Sequence, residues 1–365
     1  MISSAYIHIP FCNNICSYCD FCKIYYNKKY IDDYLNALNF EIESNYNGEV
    51  LKTIYIGGGT PSSLSIDELN KLFKIIKIFN INKTYEFTFE CNYEDINEEF
   101  LITLKNNKVN RISIGIQTFN QKYERFLQRK VNKKKMIDAI NLTKKYFDNI
   151  NIDLIYGFIN ETISELKEDL NTILSLNIKH ISTYCLILEE HTKLYINKTK
   201  EQDDETQSKM YNIIVNTLKK CGYNHYEISN FSKDGFESKH NLTYWNNDNY
   251  YGFGIGASGY IKNIRYYNTK NITKYINHNN DITKDIISNK EMIENEVMLN
   301  LRMTKGINKE RFLKRYKTNF YDLFSIDFLL NHGFLVDDGK NIYISENNLF
   351  ISNEIILKTL ESVKE

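Results

Sequence analysis

The sequence predicts an α/β protein: an open, partial TIM-like barrel of six βα repeats, followed by a smaller, mostly helical C-terminal domain of winged-helix type. Three observations carry this expectation. Short β-rich runs alternate with longer amphipathic stretches over the first 230 residues, a rhythm that implies parallel strands joined by right-handed crossovers. Six repeats are too few to close an eight-strand barrel, so the sheet stays open. Residues able to do chemistry recur along the C-terminal ends of the strands, the rim on which α/β barrels carry their sites.

The elements follow in order. A strand at Ala5–Ile9 leads into four cysteines within eleven residues: Cys12, Cys16, Cys19 and Cys22. The helical stretch Ile31–Ser44 precedes a strand at Thr53–Ile56, which ends on Gly57-Gly58-Gly59-Thr60-Pro61. Ser65, with Asp67 and Glu68 in the first turn, signals the start of a helix over Ile66–Phe79. Strands at Tyr85–Glu90, Arg111–Gln117, Ile152–Tyr156 and His180–Leu186 then alternate with helices at Glu98–Asn106, Lys133–Lys145 and Ile163–Ser175. A helical run at Asp203–Cys221 opens a second region, which continues through Tyr226–Phe231 to the glycine-rich Tyr250–Tyr260. From Thr283 the pattern is mostly helical, with a late β-like pair at Phe334–Asp337 and Asn341–Ile344. The expected division is therefore a barrel over residues 1–230, a connecting region over 231–282, and a C-terminal packing or docking module over 283–365.

Thiols crowded onto one tight loop converge, and convergence is what a metal centre needs. The spacing C-x3-C-x2-C of Cys12, Cys16 and Cys19 supplies three ligands to a [4Fe–4S] cubane and leaves its fourth iron open. Structural zinc is the competing reading, but zinc usually takes paired knuckles from two segments, and only one segment is present. Cys22 is either a fourth thiol outside the cluster or a spectator. Cys91, Cys185 and Cys221 read as small buried hydrophobes.

Composition excludes several classes. Lys+Arg and Asp+Glu are both 46, and a chain of zero formal charge argues against nucleic acid as the main partner. No stretch approaches the roughly 18 apolar residues of a membrane helix. Met1-Ile-Ser-Ser lacks the pattern of a signal peptide. Clustered thiols require a reducing compartment, so a cytoplasmic location is expected.

The run Tyr6-Ile-His-Ile-Pro-Phe-Cys12, with Cys16 and Tyr18-Cys19 after it, resembles the cluster loop of radical S-adenosylmethionine (SAM) proteins. Within that superfamily it is similar to the branch of oxygen-independent coproporphyrinogen III oxidases and HemW haem chaperones. The resemblance implies a (βα)6 partial barrel holding SAM against the open iron. By the same resemblance, Gly58, Gly59 and Thr60 of the glycine run contact the methionyl group, and Glu90 and Gln117 are polar SAM contacts. Arg129 matches the arginine facing the SAM carboxylate, and Asp153 the acid holding the ribose hydroxyls. Tyr6 matches the tyrosine beside SAM, and Tyr18 can stack on adenine. The chain departs from the family at three places. The family's L-G-R-x-H is Leu127-Gln128-Arg129-Lys130-Val131 here. Its D-L-I-x-G-L-P-x-Q-T is Asp153-Leu-Ile-Tyr-Gly-Phe-Ile-Asn-Glu-Thr162. Tyr93 follows Asn92 where proline is common.

Two features within the branch point toward the chaperones. The oxidases carry an extension before the cysteine loop, whereas Cys12 here is nearly at the start. The run His240-Asn241-Leu242-Thr243-Tyr244-Trp245 resembles the H-N-x-x-Y-W motif associated with haem binding, which makes His240 the candidate haem residue. The function so implied is a haem chaperone that binds haem, a [4Fe–4S] cluster and SAM. The alternative is oxidative decarboxylation of coproporphyrinogen III to protoporphyrinogen IX. Expected partners are haem or porphyrin, a recipient haemoprotein, an unidentified electron donor and a second copy of the chain in a homodimer.

Overall fold

The computed structural model describes residues 2–279 and 281–364. Its first six parallel strands are β1 (Ser4–Ile9), β2 (Val50–Gly58), β3 (Asn80–Asn92), β4 (Arg111–Gln117), β5 (Asn149–Tyr156) and β6 (His180–Cys185). The helices between them are α1 (Lys28–Asn45), α2 (Ile66–Ile76), α3 (Glu98–Asn106), α4 (Lys133–Lys144) and α5 (Ile163–Ser175). The six strands pair in sequence order, each parallel to the next. This is the open βα array expected.

Period-two alternation explains which way each strand faces. Ile7, Ile54, Phe89, Ile114, Ile152 and Ile181 are each at most 1 % exposed and pack outward. They meet Leu38, Leu72, Leu104, Ile140 and Ile173 of the helices, all fully buried in the same core. The residues between them are polar or aromatic: Tyr6 and His8, Tyr55, Glu90, Arg111 and Ser113, Asn151 and Asp153, Ser182. They line the inner face. Two of these five helices carry the reciprocal Ser/Thr–Glu caps that mark a start in sequence, Ser65 with Glu68 on α2 and Thr162 with Glu165 on α5.

The sheet runs further than six strands. After α6 (Asp204–Lys220), β7 (Asn224–Glu227) and β8 (Asn230–Ser232) form an antiparallel hairpin, with β8 beside β6. After α7 (Lys239–Trp245), the short β9 (Tyr251–Phe253) lies parallel to β1 on the opposite edge. The full order is β9-β1-β2-β3-β4-β5-β6-β8-β7. Part of the expected connecting region therefore pairs with the main sheet, through Phe231–Ser232 on one edge and Tyr251–Phe253 on the other. Gly252 makes this packing fit, because a Cβ there would overlap the Ser258 carbonyl. A three-stranded antiparallel sheet of β10 (Ser258–Ile261), β11 (Ile264–Tyr267) and β12 (Thr283–Ile286) follows.

The C-terminal part holds α8 (Asn289–Asn300), β13 (Ile307–Asn308), α9 (Lys309–Tyr316), β14 (Leu335–Asp337), β15 (Asn341–Ile344) and α10 (Ser352–Glu361). The order β13-β15-β14 is antiparallel throughout, which is the helix-plus-wing arrangement expected. Cys221 corrects the sequence reading: it is exposed at the C-cap of α6, whereas Cys91 is buried and Cys185 half-buried. No helix among the described residues is long and apolar enough to cross a membrane.

Candidate functional site

The cysteine loop leaves β1 at Pro10 and is closed by backbone bonds at both ends. Ile24 N donates to Pro10 O at 2.8 Å, and Tyr26 N to Cys12 O at 2.9 Å. The glycine run presses on it from β2: Gly59 N donates to Ile9 O and Thr60 N to Phe11 O, both at 2.8 Å. Across the mouth, Ser17 N donates to Leu127 O at 3.0 Å and Ser17 Oγ to Phe126 O at 2.5 Å, so the segment leading to Arg129 holds the loop.

These contacts frame a cavity of about 350 Å³ inside the barrel. Cys12, Cys16 and Cys19 line its mouth, together with Tyr18, Gly58, Gly59 and Thr60. Glu90, Gln117, Arg129 and Asp153 line its walls. Eleven of the expected cofactor residues are therefore brought to one space, although they come from four strands and three loops. Tyr6 is not among them. It faces a neighbouring cavity with His8, Cys22, Tyr244 and Tyr250, because its hydroxyl donates to His8 Nδ1 at 3.0 Å while His8 Nε2 donates to Cys22 O at 2.6 Å.

The donor set fits an iron–sulfur cluster. Among the described residues no three His, Cys, Asp or Glu side chains converge closely enough to hold one metal ion. The three thiols instead ring one end of a cavity, each facing the shared space. Burial pushes the Cys12 thiol up to about 11, partly offset by the Thr60 hydroxyl, which donates to its sulfur at 3.3 Å. Cys19 is raised as well, by burial first. A bound metal offsets that cost, because coordination deprotonates a thiol outright. The fit is tight on the glycine side: a Cβ at Gly59 would lie 2.6 Å from Pro10 O and 2.9 Å from Cys12 Sγ.

The polar wall residues differ in what remains free. Glu90 accepts from the Tyr55 hydroxyl at 2.6 Å and from Gly58 N at 3.1 Å, and burial raises its carboxyl to about 7. Asp153 accepts from Asn151 Nδ2 at 2.8 Å and Ser113 Oγ at 3.3 Å, and burial raises it too. Gln117 sits at φ 69° next to a bulge that aims it inward. Arg129 donates to Asn92 Oδ1 at 2.6 Å and to Gly115 O, while its buried Nε has no partner. Burial opposes its charge, but neighbouring Tyr18 and Cys16 more than offset that. A guanidinium with one edge uncommitted, beside the thiols, suits a carboxylate.

His240, the candidate haem residue, is tied into the protein through both ring nitrogens. The ring is buried at 1 % exposure beneath the lumen, stacked near Tyr55 with centroids 5.1 Å apart. Nδ1 is bonded to Thr53 Oγ1 and Nε2 to the Tyr244 hydroxyl, both at 2.8 Å. Its backbone N–H, with that of Lys239, donates to the buried Glu86 carboxylate at 3.0 Å. Burial, reinforced by the Arg111 charge, lowers its pKa to about 3. As placed, neither ring nitrogen has a free lone pair for iron, and α7 serves as a plug at the base of the barrel. Only Asn241 of the motif reaches the main cavity.

Sequence reasoning missed the floor. Arg111, Ser113, Asn151, Ser182 and Asn241 all line the lumen. The signal was present in the alternation Arg111-Ser113-Gly115-Gln117, which puts four lumen-facing residues on one strand.

Comparison with known proteins agrees with this geometry. The profile of the Radical SAM superfamily matches residues 6–173, and that of the HemN C-terminal domain matches residues 287–351. A heme chaperone HemW of Lactococcus lactis subsp. lactis (strain IL1403) is 39% identical, covering 98% of this chain and 97% of its own. The heme chaperone HemW of Bacillus subtilis (strain 168) is 38% identical, covering 97% and 98%. Among solved structures, the coproporphyrinogen III oxidase HemN of Escherichia coli superposes with a TM-score of 0.85 at 21% identity, over 98% of this chain and 89% of that one.

Proposed function

The chain belongs to the HemW family of the radical SAM superfamily, and on that premise we propose that it is a haem chaperone. It binds haem together with a [4Fe–4S] cluster and SAM, and hands haem to a haem-requiring protein. One observation carries the reading: the likeness to the HemW relatives extends over nearly the whole of both chains. The HemN likeness, at 21% identity, supports the fold alone, so the oxidase alternative is not favoured.

The cavity supports the cofactor set. Cys12, Cys16 and Cys19 would hold the cluster, which supplies an iron with an open coordination position. Gly58, Gly59 and Thr60 bring bare backbone close to that position, and the Thr60 hydroxyl orients the Cys12 sulfur. Arg129 offers its free edge to the SAM carboxylate, Glu90 and Gln117 offer polar contacts, and Asp153 stands ready for ribose hydroxyls. Tyr18, in the cluster loop, offers a ring for adenine, and Tyr6 braces the adjoining cavity through His8. The thiols and cluster imply a reducing, cytoplasmic setting. The partners of this reading are a recipient haemoprotein and an electron donor.

The test is haem transfer. Haem added to cluster-loaded protein should give a saturable Soret band, and the loaded protein should activate a haem-depleted recipient. Absence of haem binding, with turnover of coproporphyrinogen in its place, would reverse the choice in favour of the oxidase.

A further inference from the structure

The floor of the lumen holds a positive charge that Glu90 and Asp153 feel but that neither pairs with directly. Arg111 is the first residue of β4 and faces inward by strand parity, at 2 % exposure. Among the described residues no carboxylate lies within ion-pair distance of it, and its buried Nε has no hydrogen-bond partner. It lines the main cavity. Its two acidic neighbours are committed elsewhere. Glu90 is taken by Tyr55 and Gly58 N, and Asp153 by Asn151 and Ser113. Burial also pushes both carboxyls toward their neutral forms. Nor do the histidines nearby help: His180 and His240 have both ring nitrogens engaged.

A buried guanidinium without an anion is strongly destabilising, and proteins retain one where a ligand supplies the missing charge. A second observation marks the same place. Asn241, from the plug helix α7, lines the cavity, and its carboxamide has no hydrogen-bond partner among the described residues. A planar fork of donors beside an amide matches a carboxylate in shape and charge.

We propose that Arg111 and Asn241 form a carboxylate-binding subsite at the floor of the lumen, separate from the SAM-facing Arg129. It takes an acid side arm of the ligand carried in the barrel. Resting on the haem-chaperone reading above, that arm is a propionate of the macrocycle. The subsite gives α7 a role in recognition: the helix is locked from below by Glu86, Thr53 and Ser4 so that Asn241 stays at the floor.

The experiment compares haem with haem dimethyl ester, whose propionates are masked, in absorbance titrations of the cluster-loaded full chain. The wild type should bind the free acid about ten-fold more tightly, or better, than the ester. Arg111→Gln should erase that preference by weakening haem to the level of the ester, with iron content and SAM affinity unchanged. Asn241→Ala, which leaves the buried cation in place, should shrink the preference and serves if Arg111→Gln fails to fold. A preference that survives in the variants overturns the subsite while leaving the haem reading intact. Loss of SAM affinity in Arg111→Gln with the preference kept would assign the arginine to the SAM carboxylate, and also overturns it. A wild type that binds neither compound sinks the haem reading and the subsite together.

Discussion

Replacing Gly59 by alanine adds one methyl group at the tightest point of the site. That methyl would lie 2.6 Å from Pro10 O, 2.7 Å from Pro10 C and 2.9 Å from Cys12 Sγ. Ordinary contact begins near 3.4 Å, so the loop must retreat by about 0.8 Å. The nearest atoms belong to backbone that cannot swing aside. Pro10 O also accepts from Ile24 N at 2.8 Å, the bond that closes the cysteine loop, so retreat strains that closure. Overpacking of this kind costs about 1–3 kcal/mol. The specific loss should be larger than the general one, because the displaced atom includes the Cys12 sulfur. We expect Gly59→Ala to lower the melting temperature by a few degrees and to cut the iron retained after anaerobic reconstitution to well under half. Gly57→Ala is the control. There the added carbon meets the end of the Glu90 side chain at 2.8–2.9 Å, which can rotate away. That variant should keep its iron and lose SAM affinity. Full iron in Gly59→Ala, or equal iron loss in both variants, would refute the assignment of the glycine run as the wall of the cluster pocket.

Three further outcomes follow. Burial raises Glu90 from an ordinary 4.5 to about 7, so the folded state binds the extra proton between those values. Its ionisation penalty is therefore absent below about pH 4.5 and complete above about 7, at about 3 kcal/mol. In thermal unfolding of cluster-free protein, Glu90→Gln should thus gain more stability over wild type at pH 8 than at pH 5; a pH-independent difference would contradict this. His240→Ala strands the buried Thr53 and Tyr244 hydroxyls, each worth about 1–3 kcal/mol when unpaired, and should lower the unfolding midpoint. Reduced haem affinity at unchanged stability would show that the ring is a ligand after all. Thr60→Val removes the hydroxyl donor to the Cys12 sulfur and should make the cluster's reduction potential more negative at constant iron content, measured by redox titration.

The parts of the site legible in sequence were those set by local pattern. Alternation fixed which strand residues face inward, and glycine at 57–59 marked where backbone approaches the cysteine loop. The Ser65–Glu68 capping box located the start of α2 to the residue, whereas its end comes three residues earlier than the pattern implied. What escaped was set by distant pairing. Tyr251–Phe253 docks beside β1 some 245 residues away in sequence, and no local signal distinguishes a glycine-rich edge strand from a linker. His240 escaped for a related reason. A histidine flanked by aromatics looks the same whether its nitrogens are open or, as here, closed by Thr53 and Tyr244 from other elements. Arg111 was visible as a strand residue, but its lack of a counter-ion became apparent only once all its neighbours were in place.

The central claim is that three thiols at the barrel mouth hold a four-iron cluster with one iron open to SAM. Anaerobic reconstitution followed by iron and sulfide analysis, with EPR of the reduced protein before and after adding SAM, tests it most directly. We predict about four irons and four sulfides per chain, a signal that shifts with SAM, loss of both in Cys12→Ala, Cys16→Ala or Cys19→Ala, and little change in Cys22→Ala. Zinc in place of iron, absence of acid-labile sulfide, or a spectrum indifferent to SAM would contradict it.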